Sequence, residues 1–124
     1  MKSNKKTLGD IGEKIATEHL IENGYKIIHK NWRFLKDEVD IIATLYGYLV
    51  FVEVKTRKSN EFGEPYEFVS KKKQRYLIRA AQNYADNNDI TADTEIRFDI
   101  VSIILNPTET KIELIENAFT PLLK

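Results

Sequence analysis

The sequence predicts an α/β protein in which a mixed sheet packs between helices. Two segments, residues 7–23 and 70–87, carry apolar residues at helical spacing. Between and after them lie short runs rich in Val, Ile, Phe and Tyr, which are bounded by turn residues. The predicted order is α-β-β-β-α-β-β, and 124 residues suffice for one domain, residues 1–124, with one core.

The first helix is predicted to begin at Thr7 or Asp10, either of which can cap it, and to end near Asn23, before Gly24. Its apolar residues share one broad face: Leu8, Ile11, Ile15, Ala16 and Leu20. Glu13 falls at the edge of that face. The second helix is predicted from about Ser70 to Asn87, with these residues inward: Leu77, Ala80, Ala81 and Tyr84.

Five segments have the composition and patterning of strands. They are Tyr25–Arg33, Val39–Ala43, Leu49–Lys55, Ile96–Leu105 and Lys111–Ile115. Residues 56–69 are predicted to form a long loop that contains Phe62 and Tyr66.

Composition argues against several classes of protein. The chain has no apolar run of about 18 residues, so no membrane span is expected. Residues 1–6 are basic and no apolar stretch follows them, so we expect a flexible tail rather than a secretory signal. The sequence contains no cysteine, which excludes thiolate metal ligands and makes a reducing cytoplasm the expected setting.

A tight turn at Tyr46-Gly47 predicts a hairpin in which Ile41 faces Val52. In this register one face of the hairpin is wholly apolar: Val39, Ile41, Ala43, Val50, Val52 and Val54. The other face is predicted to hold three pairs: Ile42 with Phe51, Asp40 with Glu53, and Glu38 with Lys55. A slip of one residue would place acids opposite valines, which supports the register.

This register sets Asp40 directly opposite Glu53, with Cβ atoms about 5 Å apart. The two carboxylates repel in an apolar part of the chain, and a divalent cation is the obvious compensation. Oxygen ligands without nearby Cys or His suit Mg²⁺ or Mn²⁺. Lys55 follows on the same face, about 7 Å along the strand, where an amine can hold a water or stabilise charge on a phosphate.

The same residues also have a purely structural interpretation. Glu38 opposite Lys55 is a favourable cross-strand ion pair, and that pair alone can account for the lysine. Glu53 can be neutralised by Arg57 or by Arg33. The hairpin alone leaves both interpretations open.

Gln74 lies on the inward face of the second helix, where a buried amide needs hydrogen-bond partners. Backbone groups can supply them, and so can a site carboxylate, a water or a phosphate. Glu13, at the edge of the first helix, is a candidate third carboxylate.

Basic residues are clustered, although the net charge is zero and zero charge argues against strong nucleic-acid binding. An acid-free set lies at the start of the second helix: Lys71, Lys72, Lys73, Arg75 and Arg79. A second set is Lys55, Arg57 and Lys58. Such sets track phosphates in some proteins and form a solvated helix face in others. Phe62 and Tyr66 either stack on unpaired bases or pack their loop onto the domain.

These residues resemble the PD-(D/E)XK nuclease pattern, with Glu13 on a helix, Asp40 on a strand and Glu53-Val54-Lys55 on the next strand. Gln74 resembles a glutamine of some members, including archaeal Holliday-junction resolvases. The closer resemblance is to the YraN-like family of small bacterial proteins. The motifs that carry it span nearly the whole chain: Gly9-Asp10-Ile11-Gly12-Glu13, Asn31-Trp32-Arg33, Glu38-Val39-Asp40-Ile41-Ile42-Ala43, Val50-Phe51-Val52-Glu53-Val54-Lys55, Phe62-Gly63-Glu64-Pro65, Arg97-Phe98-Asp99 and Asn117-Ala118-Phe119.

The resemblance implies a restriction-endonuclease-like α-β-β-β-α-β core with a mixed central sheet flanked by helices. It also implies a set of roles: Asp40 and Glu53 as ligands of Mg²⁺ or Mn²⁺, Lys55 as the catalytic lysine, Glu13 as an outer acid and Gln74 as a positioning group. Asp37 departs from the family, which more often has Gly there. Its negative charge either tightens cation binding or hinders a phosphate.

We therefore expect a metal-dependent endonuclease that acts on nucleic acid, with structured or branched DNA as the favoured substrate. One alternative is a module that binds nucleic acid on this fold without cutting it. Another is a protein-interaction domain in which the acids pair with Lys and Arg. Opposed carboxylates favour the enzyme, because neither alternative needs them. The oligomeric state is left open, a homodimer included.

Overall fold

The computed structural model describes residues 7–58 and 69–120, in the predicted order of elements. The helices are α1 (Leu8–Glu22) and α2 (Lys71–Asn87). The strands are β1 (Lys26–Phe34), β2 (Asp37–Leu45), β3 (Tyr48–Lys58), β4 (Ile96–Leu105) and β5 (Thr110–Ile115). Strand β3 extends to Lys58, so it takes in the start of the predicted loop. The predicted tail, Phe62 and Tyr66 lie outside the described residues.

The five strands form one mixed sheet in chain order, with β3 parallel to β4 and the other neighbouring strands antiparallel. Helix α2 lies in the β3–β4 connection, as a parallel pair requires. Helix α1 packs on one face of the sheet through Ala16 and Leu20. Helix α2 packs on the opposite face through Leu77 and Tyr84. The predicted mixed sheet flanked by helices is therefore confirmed.

The predicted hairpin register is confirmed next to the turn. The β2–β3 ladder contains three of the predicted pairs: Ile41 with Val52, Ile42 with Phe51, and Ala43 with Val50. Tyr46 and Gly47 have φ angles of 48° and 89°, the left-handed values that a two-residue hairpin turn of this type requires.

Beyond the Ile41–Val52 pair the β2–β3 ladder ends, and the predicted register is wrong there. The predicted pairs that do not occur in the ladder are Val39 with Val54, Asp40 with Glu53, and Glu38 with Lys55. Glu38 instead faces Arg33 on β1, with an N–O distance of 3.5 Å. The reason is that β2 continues to pair with β1 while β3 continues to pair with β4. The two halves of the sheet thus form a fork, which we define as the segments Glu38–Asp40 of β2 and Glu53–Lys55 of β3.

Val39 also departs from the predicted alternation. It packs in the cluster beneath α2 with Ile42, whereas Ile41 and Ala43 pack beneath α1. Val54 keeps to the predicted face and packs with Ile41 and Ala43, so the apolar face continues into the fork on β3 but not on β2.

Helix α1 approaches β3 closely at a glycine. A Cβ atom added to Gly12 would lie 1.7 Å from Oγ1 of Thr56, so only glycine fits without movement. The inward face of α1 is consequently Gly12, Ala16 and Leu20, and Ile11, predicted to face inward, is 37% exposed. This close approach brings Glu13, the next residue of the helix, toward the fork.

The motif residue Asp99 has a structural role on β4. It is 1% exposed and accepts hydrogen bonds from the Tyr25 hydroxyl, from two nitrogens of the Arg97 guanidinium and from the backbone N–H of Asn117. A buried carboxylate is tolerated when its oxygens are satisfied in this way. The network ties the segment after β5 to the sheet.

The Gly12–Thr56 contact yields a stability prediction. Gly12→Ala is expected to lower the free energy of unfolding by about 1–3 kcal/mol, because the added methyl group overlaps the threonine side chain. Gly9→Ala is the matched control, since its new Cβ would meet only Oγ1 of Thr7 at 3.8 Å. That control is expected to keep or raise stability by up to about 1 kcal/mol. Urea denaturation of both variants makes the measurement, and equal effects would contradict the close approach.

Candidate active site

The centre of the site is a pair of carboxyl groups at the fork, those of Asp40 and Glu53. Each of the two carboxyl groups shifts the pKa of the other, although the residues are not paired in the ladder. Oδ2 of Asp40 also accepts the backbone N–H of Val54, with an N–O distance of 2.8 Å. The aspartate side chain therefore bridges β2 to β3 where the strands themselves have stopped pairing.

Burial changes the protonation of this pair. Glu53 is 8% exposed, and its pKa is raised to about 7, first by burial and then by the negative charge of Asp40. The positive charges of Lys73 and Lys55 oppose that increase. Burial also raises the pKa of Asp40, against the hydrogen bond from Val54 N–H. Glu53 therefore keeps its proton to a higher pH than an ordinary glutamate, and a cation could replace that proton.

Glu13 reaches the same region from α1. Its Oε1 accepts a hydrogen bond of 2.7 Å from the Asn31 side chain on β1. Burial raises the pKa of Glu13, the Asn31 hydrogen bond opposes the increase, and the negative charge of Asp40 adds to it. Asn31 has a left-handed φ of 55°, which asparagine tolerates better than most residues. No role was predicted for Asn31 from the sequence, although an asparagine is unusual within a strand pattern.

An open cleft of about 350 Å³ lies beside the pair. Its lining is mainly polar: Gly9, Asp10, Glu13, Asn31, Asp40, Val54, Lys55 and Thr56. Three of the predicted site residues, Glu13, Asp40 and Lys55, thus border one space. Glu53 is not in this lining, and Lys73 of α2 approaches it instead.

Two side chains alone make a sparse metal site. Among residues 7–58 and 69–120, no three Asp, Glu, His or Cys side chains are grouped so that they could hold a metal ion. Glu13 therefore is not positioned as a third direct ligand in this arrangement. Mg²⁺, however, commonly takes only one or two carboxylates and completes its shell with waters and substrate phosphate.

Helix α2 brings a lysine, not the predicted glutamine, to the acids. Nζ of Lys73 lies 3.7 Å from Oε2 of Glu53. Gln74 is half-buried and its Nε2 donates to the backbone carbonyl of Val69 at 3.2 Å. The partner of the Gln74 amide is thus a backbone group, one of the alternatives that the sequence left open. The bond anchors the start of the helix. Glu53 thus forms an ion pair with Lys73, a partner that the sequence did not suggest.

Arg79, predicted to contact phosphate, instead neutralises Asp37. Its guanidinium donates two hydrogen bonds to the carboxylate, at 2.8 Å and 2.5 Å. Asp37 is 6% exposed, and these bonds from Arg79 lower its pKa. The extra acid near the fork is therefore compensated from α2 and adds little net charge to the site. Lys72 and Arg79 both lie over the Tyr76 ring, at 5.9 Å and 5.0 Å from its centroid.

The remaining predicted phosphate contacts lie on α2 and at the end of β3. Lys71 and Arg75 line a small cavity of about 250 Å³ together with Gln74. Arg57 is half-buried and Lys58 exposed at the end of β3. Their contact with nucleic acid stays a prediction.

Comparison with known proteins decides the family. A model described as "Uncharacterised protein family UPF0102" matches residues 12–103. The chain is 46% identical over 112 residues to a UPF0102 protein of Flavobacterium psychrophilum, which covers 90% of this chain and 92% of that protein. The chain belongs to the UPF0102 family. This membership confirms the resemblance to the YraN-like family.

Two further UPF0102 relatives match almost end to end. The relative from Caldanaerobacter subterraneus subsp. tengcongensis is 45% identical over 121 residues, covering 95% of this chain and 98% of its own length. The relative from Clostridioides difficile is 43% identical over 116 residues, covering 94% of this chain and 99% of its own length.

Neither described helix of this UPF0102 protein is long and apolar enough to cross a membrane.

The raised pKa of Glu53 predicts how stability depends on pH without metal. A carboxyl group with a higher pKa folded than unfolded stabilises fully below its unfolded pKa, near 4.5, and loses that contribution as pH rises through about 7. Glu53→Gln mimics the protonated form. In EDTA it should gain stability over the wild type between pH 5 and pH 8, by roughly 1–3 kcal/mol at the higher pH.

Thermal and urea unfolding across this pH range measure the difference. Glu18→Gln, which removes an exposed carboxylate of α1, should leave the pH dependence as it is in the wild type. A Glu53→Gln protein that is clearly less stable than the wild type at pH 8 would contradict the proton-sharing pair.

Proposed function

We propose that this UPF0102 protein is a metal-dependent nuclease of the PD-(D/E)XK type, acting on structured or branched DNA. The observation that carries the proposal is the pair of interacting carboxyl groups, Asp40 and Glu53, at a fork in the sheet beside an open polar cleft. A purely structural pair would be expected to accept enough hydrogen bonds from fixed donors to satisfy its oxygens, as Asp99 does on β4.

The donor set fits Mg²⁺ or Mn²⁺. Asp40 and Glu53 offer hard oxygen ligands, and neither Cys nor His contributes to the lining of the cleft. A divalent cation would replace the proton held by the pair. Because the bound cation would remove the repulsion between the two buried carboxylates, that repulsion would favour metal binding. When bound, such an ion polarises a phosphoryl oxygen and lowers the pKa of a water.

The other residues of the cleft have complementary roles in the proposal. Lys55 borders the cleft with Asp40, where its ammonium group can orient the attacking water or stabilise charge that builds on the phosphate. Glu13, held by Asn31, supplies an outer acid that orders water around the ligands. Gln74 acts only indirectly, because it fixes the start of α2.

The surrounding cations would position the phosphate backbone without reading sequence. Lys58, Lys71, Lys72 and Arg75 are exposed and remain the candidates for this role, whereas Arg79 is committed to Asp37. The relatives are bacterial proteins and bacterial DNA lies in the cytoplasm, so the proposal includes that location. A homodimer would supply two such sites, and the proposal does not depend on it.

One observation favours the non-cleaving nucleic-acid module as a second candidate. Lys73 already neutralises Glu53 in part, as expected of a site that never takes a metal. In that module, nucleic-acid affinity would be independent of divalent cations and cleavage would be absent.

A cleavage panel tests the proposed nuclease. The substrates are single-stranded, duplex, flap and four-way DNA, with Mg²⁺, Mn²⁺ or EDTA. We expect metal-dependent cleavage that prefers branched DNA, is abolished by Glu53→Gln and Asp40→Asn, and falls about 10²-fold or more in Lys55→Ala. Lys111→Ala, on the exposed edge strand β5, is the matched control and should cut like the wild type.

Thermal melts with millimolar Mn²⁺ separate binding from chemistry. The wild type and Lys55→Ala should both gain stability with metal, and Asp40→Asn should not, because a ligand of the native state stabilises by mass action. If the wild type binds DNA equally with and without metal and cuts none of the four substrates, the non-cleaving module is the correct function.

A further inference from the structure

Lys73 brings a positive charge of α2 next to the acid pair. Its Nζ is 3.7 Å from Oε2 of Glu53, whose side chain is 9% exposed, while the Lys73 side chain is 38% exposed. Lys73 thus joins a buried acid to solvent. Its neighbour Lys72 lies over Tyr76, and Arg79 is bound to Asp37.

The backbone at Lys73 is fixed, although the side chain is long and flexible. Ser70 caps α2, and its hydroxyl accepts the backbone N–H of Lys73 at 3.1 Å. Only the side chain can therefore change partner. Its flexible four-carbon chain allows the ammonium group to move. At 3.7 Å the two atoms are beyond hydrogen-bond distance, so this ion pair is easily exchanged.

The charge of Lys73 acts on both members of the pair. It lowers the pKa of Asp40 and that of Glu53, against the effect of burial. A divalent cation placed between the same carboxylates would have the same sign and would repel the ammonium group. Lys73 and the metal ion therefore compete for one pair of acids.

We propose that Lys73 is the counter-ion of the metal-free acid pair, that a divalent cation displaces it, and that the displaced ammonium group then binds a phosphate of the nucleic acid. This inference rests on the proposed function, because it needs a metal at Asp40 and Glu53. It gives α2 a role in coupling metal binding to substrate binding. It also explains why the protein can keep two acids buried together before metal arrives.

The first test measures metal affinity, without catalysis. Titration of Mn²⁺ by calorimetry should show binding to Lys73→Gln about 3- to 10-fold tighter than to the wild type, since the competing charge is gone. Lys72→Gln is the matched control. It removes the same charge one residue away, from a side chain that lies over Tyr76, and should bind Mn²⁺ like the wild type.

The second test measures DNA affinity against salt, with EDTA or with Ca²⁺, a hard cation that takes the same kind of oxygen ligand. In the wild type, Ca²⁺ should steepen the log-log salt dependence by about one phosphate contact, as Lys73 is released. Lys73→Gln should lose this increment. Lys72→Gln should keep it, whatever its own salt dependence.

The outcomes separate this inference from the proposed function. Equal Mn²⁺ affinity of the wild type and Lys73→Gln overturns the displacement while leaving the metal site intact. If Lys73→Gln binds Mn²⁺ more tightly but Ca²⁺ still steepens the salt dependence of its DNA binding, the phosphate contact is overturned. No Mn²⁺ binding by the wild type overturns both the inference and the proposed nuclease.

Discussion

The structure depends on how it accommodates two carboxyl groups, those of half-buried Asp40 and buried Glu53, where two strands of the sheet separate. Backbone pairing stops beside them, because β2 stays with β1 and β3 stays with β4. The side chain of Asp40 then takes over the bridge between the strands through the N–H of Val54. Helix α1 comes close through Gly12, and α2 supplies Lys73 from the other face. The hydrogen bond and the ion pair offset the burial of the two acids, and the close approach of α1 brings Glu13 toward them.

The cations of this UPF0102 chain fall into groups that the net charge conceals. Arg79 and Arg97 form ion pairs with the buried acids Asp37 and Asp99. Removing either arginine would leave a buried carboxylate without its cation and destabilise the fold. Lys73 is shared between the acid pair and solvent. A zero net charge is therefore compatible with a phosphate-binding surface, because part of the negative charge is neutralised inside the protein.

Local pattern predicted much of this fold, and tertiary contacts set the rest. The strand alternation and the Tyr46-Gly47 turn were enough to predict the hairpin register near the turn, since both act within a few residues. The fork could not be predicted, because it depends on which neighbour each strand follows. Lys73 was recognised as basic but not as the partner of Glu53, since a helical wheel gives no distance to a strand. Asn31 was missed because its contact with Glu13 joins two elements across the cleft.

The central claim is that Asp40 and Glu53 hold a proton that a divalent cation replaces. Calorimetric titration of Mn²⁺ in buffers of different ionisation enthalpy counts the protons released on binding. With the pKa of Glu53 near 7, we expect release of about one proton at pH 6, falling toward zero by about pH 8.5. Binding of Mn²⁺ at pH 6 without proton release, or the same release in Glu53→Gln, would contradict this account.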